Sequence, residues 1–265
     1  MDITDARKTK LSLSMKIASS LVLLFGLGLA LLTLSSAAGI WLGFWDFRRG
    51  FALLRPANEW GDVILWACVG ITVTVAIANQ LVKPANGSKL IIMAASGTVV
   101  AAIAFYIPES FRPGEGVNYP PIHDISTNLI SPPEFVAILP LRVDAANTVI
   151  YGGSNNMTPE RLVQLTEEAY PDLVTRRYSE SADEVFSKAL AAVDELGWEL
   201  VDQSTDEGRI EATDTTFWFR FKDDIVIEIN QQGSETLVDA RSVSRVGTGD
   251  VGANAIRLRK LFELL

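Results

Sequence analysis

Apolar positions crowd into three uncharged stretches in the first part of the chain. Ile17 to Trp45 is a run centred on LVLLFGLGLALLTL, and Val63 to Val82 and Leu90 to Ile107 repeat the pattern. A helix crosses the apolar core of a bilayer with about 20 such residues. The first stretch is long enough to tilt or reach into the interface, the second fits, and the third is slightly short. A buried helical hairpin is the alternative for the second and third, but neither shows the polar stripe that a helix on a water-soluble core needs. Trp41, Trp45, Trp60, Trp66 and Tyr106 fall near the ends of these stretches, where amphipathic rings favour the lipid–water boundary. The pattern therefore predicts three transmembrane helices, over about 17–45, 63–82 and 90–107. A cleaved leader is the alternative for the first, because the small residues SSAAG at 35–39 follow a basic start. The apolar run continues past that site, which favours a retained span.

Beyond residue 108 the pattern changes. Seven of the 11 prolines lie between 108 and 140, a spacing that forbids long helices. This predicts a connector over 109–160, packed on or leading into an α+β domain at 161–265. Thr158 and Pro159 mark a helix start, and that helix stops before Pro171. Ser181 caps a second helix, Asp183 and Glu184 fill its first turn, and Gly197 ends it. Its stripe is Val185, Ala189, Ala192, Val193 and Leu196. Strand patterns follow in WELVDQ, GRIEATDTT, FWFRF, IVIEIN and TLVDARSVSRV, with KDD and QQGSE read as turns. A terminal helix over 251–265 carries Ala255, Leu258, Phe262 and Leu265 on one face. The fold class expected is three membrane helices plus an α+β domain, an antiparallel sheet covered by helices.

Charge sharpens this division. After residue 108, 14 Lys and Arg face 27 Asp and Glu, a net charge of −13, while the first part carries +4. So acidic a domain repels nucleic acid, and no nucleic-acid partner is expected. Lys and Arg near the spans number six on the N-terminal side and four on the other, Arg112 among the latter. The positive-inside rule then puts the N-terminus in the cytoplasm and the C-terminal domain outside it. The single cysteine, Cys68, lies in the second span, so no disulfide framework exists.

The densest chemistry lies in RSVSRVGTGDVGANAIRLRKL, residues 241–261, at a strand-to-helix corner. This run, with YPPIHDISTNLISPPEF and FWFRFKDDIVIEI, resembles the bacterial and plastid family called domain of unknown function 1499, over about residues 115–265. The family's hallmark, Arg-Ser-x-Ser-Arg-x-Gly-x-x-Asp-x-Gly-x-Asn-x-x-Arg, falls on Arg241, Ser242, Ser244, Arg245, Gly247, Asp250, Gly252, Asn254 and Arg257 without departure. The multi-span form is similar to proteobacterial inner-membrane members. The resemblance implies a fold and a location, a bacterial inner membrane with the C-terminal domain in the periplasm, and brings no catalytic residue with it.

Two readings of the cluster are open. Strand alternation puts Arg241, Val243 and Arg245 on one face and Ser242 and Ser244 on the other. With Asp250, Asn254 and Arg257 at the positive end of the terminal helix, these residues form a candidate site for an anionic small molecule or lipid headgroup. Alternatively the glycines turn the corner, Asp250 caps the helix, Asn254 ties the loop, and Arg241 and Arg245 pair with Asp239, Asp223 or Asp224. His123 is the sole histidine, too few for an ordinary zinc site, and DISTN is not a calcium loop, so no metal is expected. A hydrolase using His123 with Ser242 or Ser244 lacks a nucleophile-elbow motif. Neither a P-loop nor a dinucleotide fingerprint is present, and no cofactor is expected. The aromatic strand 217–221 reads as core, or as the lining of an apolar groove. The expected class is a binding module, or else a scaffold subunit of an envelope complex, rather than an enzyme.

Overall fold

A computed structural model of the chain describes residues 3–110, 119–154 and 157–265. Arg112 and Pro113 of the expected connector, and Asn155 and Asn156 of the loop before Thr158, lie outside the described residues. The chain divides into two compact units, residues 1–114 and 115–265.

The first unit is three helices: α1 (Ile3–Trp41), α2 (Phe47–Val82) and α3 (Gly87–Glu109). Each is long and apolar enough to cross a membrane, and each packs on the other two. α1 and α3 meet at Gly26 and Gly97. A Cβ added to Gly26 would lie 2.2 Å from the Gly97 carbonyl oxygen, and one on Gly97 would lie 2.6 Å from Cα of Leu23. In lipid no hydrophobic force gathers helices, so close backbone approach and interhelical hydrogen bonds hold the bundle. Thr33 Oγ1 donates to the Ala104 carbonyl at 3.3 Å, and the Thr72 and Thr98 hydroxyls lie 2.8 Å apart. The outward faces stay apolar, with Leu24, Leu31, Trp66, Ile77 and Ile92 all exposed. That surface is stable in lipid and not in water, which makes this a membrane protein.

The second unit is an antiparallel sheet with a different cover on each face. Its strands are β1 (Asp124–Ser126), β2 (Arg176–Tyr178), β3 (Glu199–Ser204), β4 (Arg209–Thr215), β5 (Lys222–Gln232) and β6 (Glu235–Ser244). The order is β1-β6-β5-β4-β3, with β2 also paired to β6. Helices α4 (Pro159–Ala169), α5 (Ala182–Glu195) and α6 (Ala253–Leu264) complete it. The Thr158 side chain accepts from the Arg161 N–H, and Ser181 forms a reciprocal capping box with Glu184. Gly197 ends the α5 segment at φ +71°, a conformation open to glycine.

Register assigns the faces. Ile225, Ile227 and Ile229 of β5 align with Ser242, Ala240 and Val238 of β6, and Ile225 and Ile227 with Ala212 and Ile210 of β4. This face packs under Val185, Ala189 and Val193 of α5 and Leu258 and Leu261 of α6. The opposite face carries Val226 and Val243, and it is covered by Phe135 and Ile138 of the proline-rich segment. That segment lies over the sheet as a strap.

One expected strand is absent. FWFRF, residues 217–221, is the connection between β4 and β5, since the ladder closes at Thr215 opposite Lys222. KDD, expected as a turn, opens β5, and both Asp223 and Asp224 are buried.

Candidate functional site

The sheet divides the hallmark residues between its two faces. Arg241 projects from β6 into the strap. Its Nε and Nη2 donate to the two carboxylate oxygens of Asp124 at 2.9 and 2.7 Å. The remaining donors reach the Pro133 and Val149 carbonyls at 3.1 and 2.7 Å. The guanidinium also lies 5.5 Å from the Phe135 ring centroid and 5.3 Å from that of Tyr151, within cation–π range. Its side chain is 3% exposed.

Arg245 works on the same face. It grips Asp224 with two hydrogen bonds, at 2.9 and 2.8 Å, and donates to the Leu141 carbonyl at 2.8 Å. Asp224 is fully buried and takes two further partners, Thr213 Oγ1 at 2.7 Å and the Arg142 guanidinium. Arg142 comes from the strap and also donates to the Val243 and Asn147 carbonyls. Burial pulls the Arg142 guanidinium below its ordinary value, and Asp224 opposes that. Beside this cluster, the buried Glu211 carboxylate accepts three strap amides, from Val136, Ala137 and Ile138, at 2.8 to 3.1 Å. A carboxylate holding several backbone amides is a strong charged hydrogen-bond site.

Ser242, Asn254 and Arg257 form the network on the helix-covered face. Ser242 Oγ donates to Asn254 Oδ1 at 2.7 Å, while Asn254 Nδ2 donates to the His123 carbonyl at 2.9 Å and to Ser244 Oγ at 3.0 Å. Arg257 holds Asp214 and Asp223 at 2.8 and 2.7 Å. Asp250 accepts the N–H groups of Gly252 and Asn254, which fixes the start of α6. Burial raises the Asp250 carboxyl above its ordinary value, against these hydrogen bonds. Arg241 and Arg245 therefore stand on the far side of the sheet from Arg257. The three do not converge on one point, and each already holds a carboxylate.

His123 sits at the junction of strap and corner. Its carbonyl accepts from the Ser244 N–H, and the residue lines a cavity with Asp124, Ile150, Gly152, Gly153 and Met157. His123 is 6% exposed, and its Nδ1 has no hydrogen-bond partner. Burial lowers the imidazole below its ordinary 6.5, opposed by Asp124 and Asp223 and assisted by Arg142. The cavity measures about 20 Å³, room for one water-sized molecule. Ligand pockets run to several hundred. The Ser242 and Ser244 hydroxyls bond to Asn254, so no serine–histidine pair forms there. Among the described residues, no group of three or more His, Cys, Asp or Glu side chains is arranged to hold a metal ion.

Sequence reasoning anticipated the shared face of Arg241 and Arg245, and it gave Asp224 as one of three carboxylates open to them, the one that Arg245 takes. Asp250, expected as the helix cap, holds two amides at the start of α6, while Gly252 is the N-cap residue. Sequence reasoning missed Asp124 as the partner of Arg241, and it missed Arg142 and Glu211 altogether. Glu211 carried no distinguishing local signal, since its strand holds Arg209 and Asp214 as well. A family model described as "Protein of unknown function (DUF1499)" matches residues 124–265. No curated protein matches the sequence.

Proposed function

The chain belongs to the DUF1499 family of proteins of unknown function, and from that premise we propose that it is a membrane-anchored scaffold of the bacterial cell envelope. In this reading three helices hold it in the inner membrane with the N-terminus in the cytoplasm. The α+β domain stands in the periplasm and engages a protein partner rather than a small anion. One observation carries the choice. Arg241, Arg245 and Arg257 are each bound to buried or part-buried carboxylates of the same domain. For Arg241 or Arg257 to grip an external headgroup, a buried acid would be left without its countercharge, at a cost of about 3–5 kcal/mol, and Arg245 would have to leave Asp224 to Arg142 alone. The cavity at His123 and Asp124 is water-sized and is lined by none of the three arginines, which points the same way. The membrane topology is supported by the excess of Lys and Arg on the N-terminal side of the spans.

Photocrosslinking from the acidic surface of the domain in intact cells, followed by purification in mild detergent, tests the scaffold. The expected result is an adduct of one reproducible mass whose partner co-purifies stoichiometrically with the full chain. Isolation as a lone monomer without adducts overturns it. Inorganic phosphate and glycerol phosphate serve as probes of the anion reading. A rise in the domain's melting temperature with either, lost in Arg245→Ala, would favour that reading instead. A reporter enzyme fused after Leu265 and active only in the cytosol would overturn the periplasmic address.

A further inference from the structure

Antiparallel register brings several exposed apolar side chains to one end of the sheet. β4 ends at Thr215 and β5 starts at Lys222, so the aromatic connection Thr216–Phe221 projects from this end. It is a closed turn: the Thr216 N–H donates to the Phe221 carbonyl at 2.8 Å, and the Phe221 N–H to Thr216 Oγ1 at 2.9 Å. Phe217 on this turn is 69% exposed. β6 leaves the sheet at the same end, because Ser244 pairs with Asp223. The loop after it presents Val251, 50% exposed at φ +54°. That backbone region is costly for a β-branched residue. Holding an apolar, β-branched side chain outward in a strained turn gains nothing for the domain's own core.

The strap adds two more. Arg142 anchors it to the carbonyls of Val243 and Ser244, and Arg245 donates to the Leu141 carbonyl. The neighbours of Arg142, Leu141 and Val143, are left 54% and 82% exposed at this end. Arg220, on the aromatic turn, is also exposed, while Lys222 is half-buried and pairs with Glu199 at 3.7 Å, and Asp144 is exposed beside Val143. An exposed aromatic and aliphatic cluster with an arginine at its edge has the composition of a surface that sits at the lipid–water interface.

The chain arrives at this end too. Asp124 pairs with Val243, and the Asp250 N–H donates to the Ile122 carbonyl, so residues 119–123 run beside the corner. Ten residue steps separate Glu109, the last residue of α3, from Tyr119. Their fully extended reach is at most about 36 Å. The short tether thus comes off the same end that carries the exposed apolar groups.

We propose that this end of the domain, with Leu141, Val143, Phe217 and Val251 as its apolar contacts, docks on the bilayer's lipid–water interface. The bilayer is the occupant because the tether is short, because it leaves from this end, and because the exposed apolar groups here include an aromatic ring on the same turn as Arg220. The inference rests on the helices lying in a membrane and is independent of any protein partner.

The test uses the full chain in lipid nanodiscs, with Cys68→Ala removing the native thiol. An environment-sensitive fluorophore is attached in turn at Val143→Cys, Phe217→Cys and Ser234→Cys. Ser234 lies in the turn between β5 and β6, at the opposite end of the sheet. Headgroup-region nitroxide lipids are expected to quench the label at 143 and at 217 and to leave the one at 234 bright. The label at 143 keeps the aromatic turn intact, so a failure of Phe217→Cys to fold does not remove the test. Adding Phe217→Asp to the 143-labelled chain should abolish the quenching. Labels at 143 and 217 that stay as bright as that at 234 overturn the proposal. So do labels shielded from aqueous iodide yet untouched by lipid nitroxide, because a protein would then cover this end.

Discussion

Arg241 shows why the hallmark is rich in charge and yet internal. Its guanidinium is buried against Asp124 and ties two strap carbonyls to the central strand β6. The fork geometry matters, since two parallel hydrogen bonds to one carboxylate suit arginine and not lysine. Arg241→Ala is expected to cost about 3–5 kcal/mol, because Asp124 is left charged and buried. Arg241→Lys should recover only a minor part. Chemical denaturation of the full chain in detergent checks both, and proteolysis within 130–150 should accelerate in the alanine variant as the strap comes loose. His123 gives a pH dependence of defined sign. Burial holds its folded-state pKa below 6.5, so the unfolded state takes up the proton first as pH falls. Its contribution is intact above 6.5 and is lost on acidification, by at most about 1.4 kcal/mol per pH unit. Asp250, raised by burial, acts with the opposite sign. The expected outcome is therefore a difference: His123→Gln loses less melting temperature than the parent between pH 7 and pH 5.

At the scale of elements, two features turn on backbone contact. The α1–α3 crossing needs glycine at 26 and 97, where a Cβ would meet backbone atoms and not a side chain able to swing away. Gly97→Leu is expected to force the helices apart and to cost about 1–3 kcal/mol or more. Disulfide crosslinking between engineered cysteine pairs on α1 and α3 should fall accordingly. The β4–β5 hairpin carries the other lesson. FWFRF alternates and is aromatic, and so has the local character of a strand; KDD has that of a turn. The structure reverses both because the two aspartates meet countercharges. Asp223 meets Arg257, and Asp224 meets Arg142 and Arg245. With those cations present, KDD enters the sheet and the aromatic residues become its tip.

At the scale of the molecule, the two units were legible to different depths. The membrane helices follow from run length alone, because lipid asks of a segment only that it be apolar and satisfy its own backbone. The caps at Thr158 and Ser181, and the alternation that faces Ile225, Ile227 and Ile229 toward the helices, are likewise local matters. They span three or four residues or a period of two, and the sequence alone determined them. It also determined the family, through the run from Arg241 to Arg257. What those arginines touch was decided only by tertiary structure. Arg241 and Asp124 are 117 residues apart, and Arg142 and Asp224 are 82. An ion pair across such a separation leaves no period in the sequence. It forms only once the strap has been laid across the sheet, and that same step leaves Leu141 and Val143 exposed at one end of the domain.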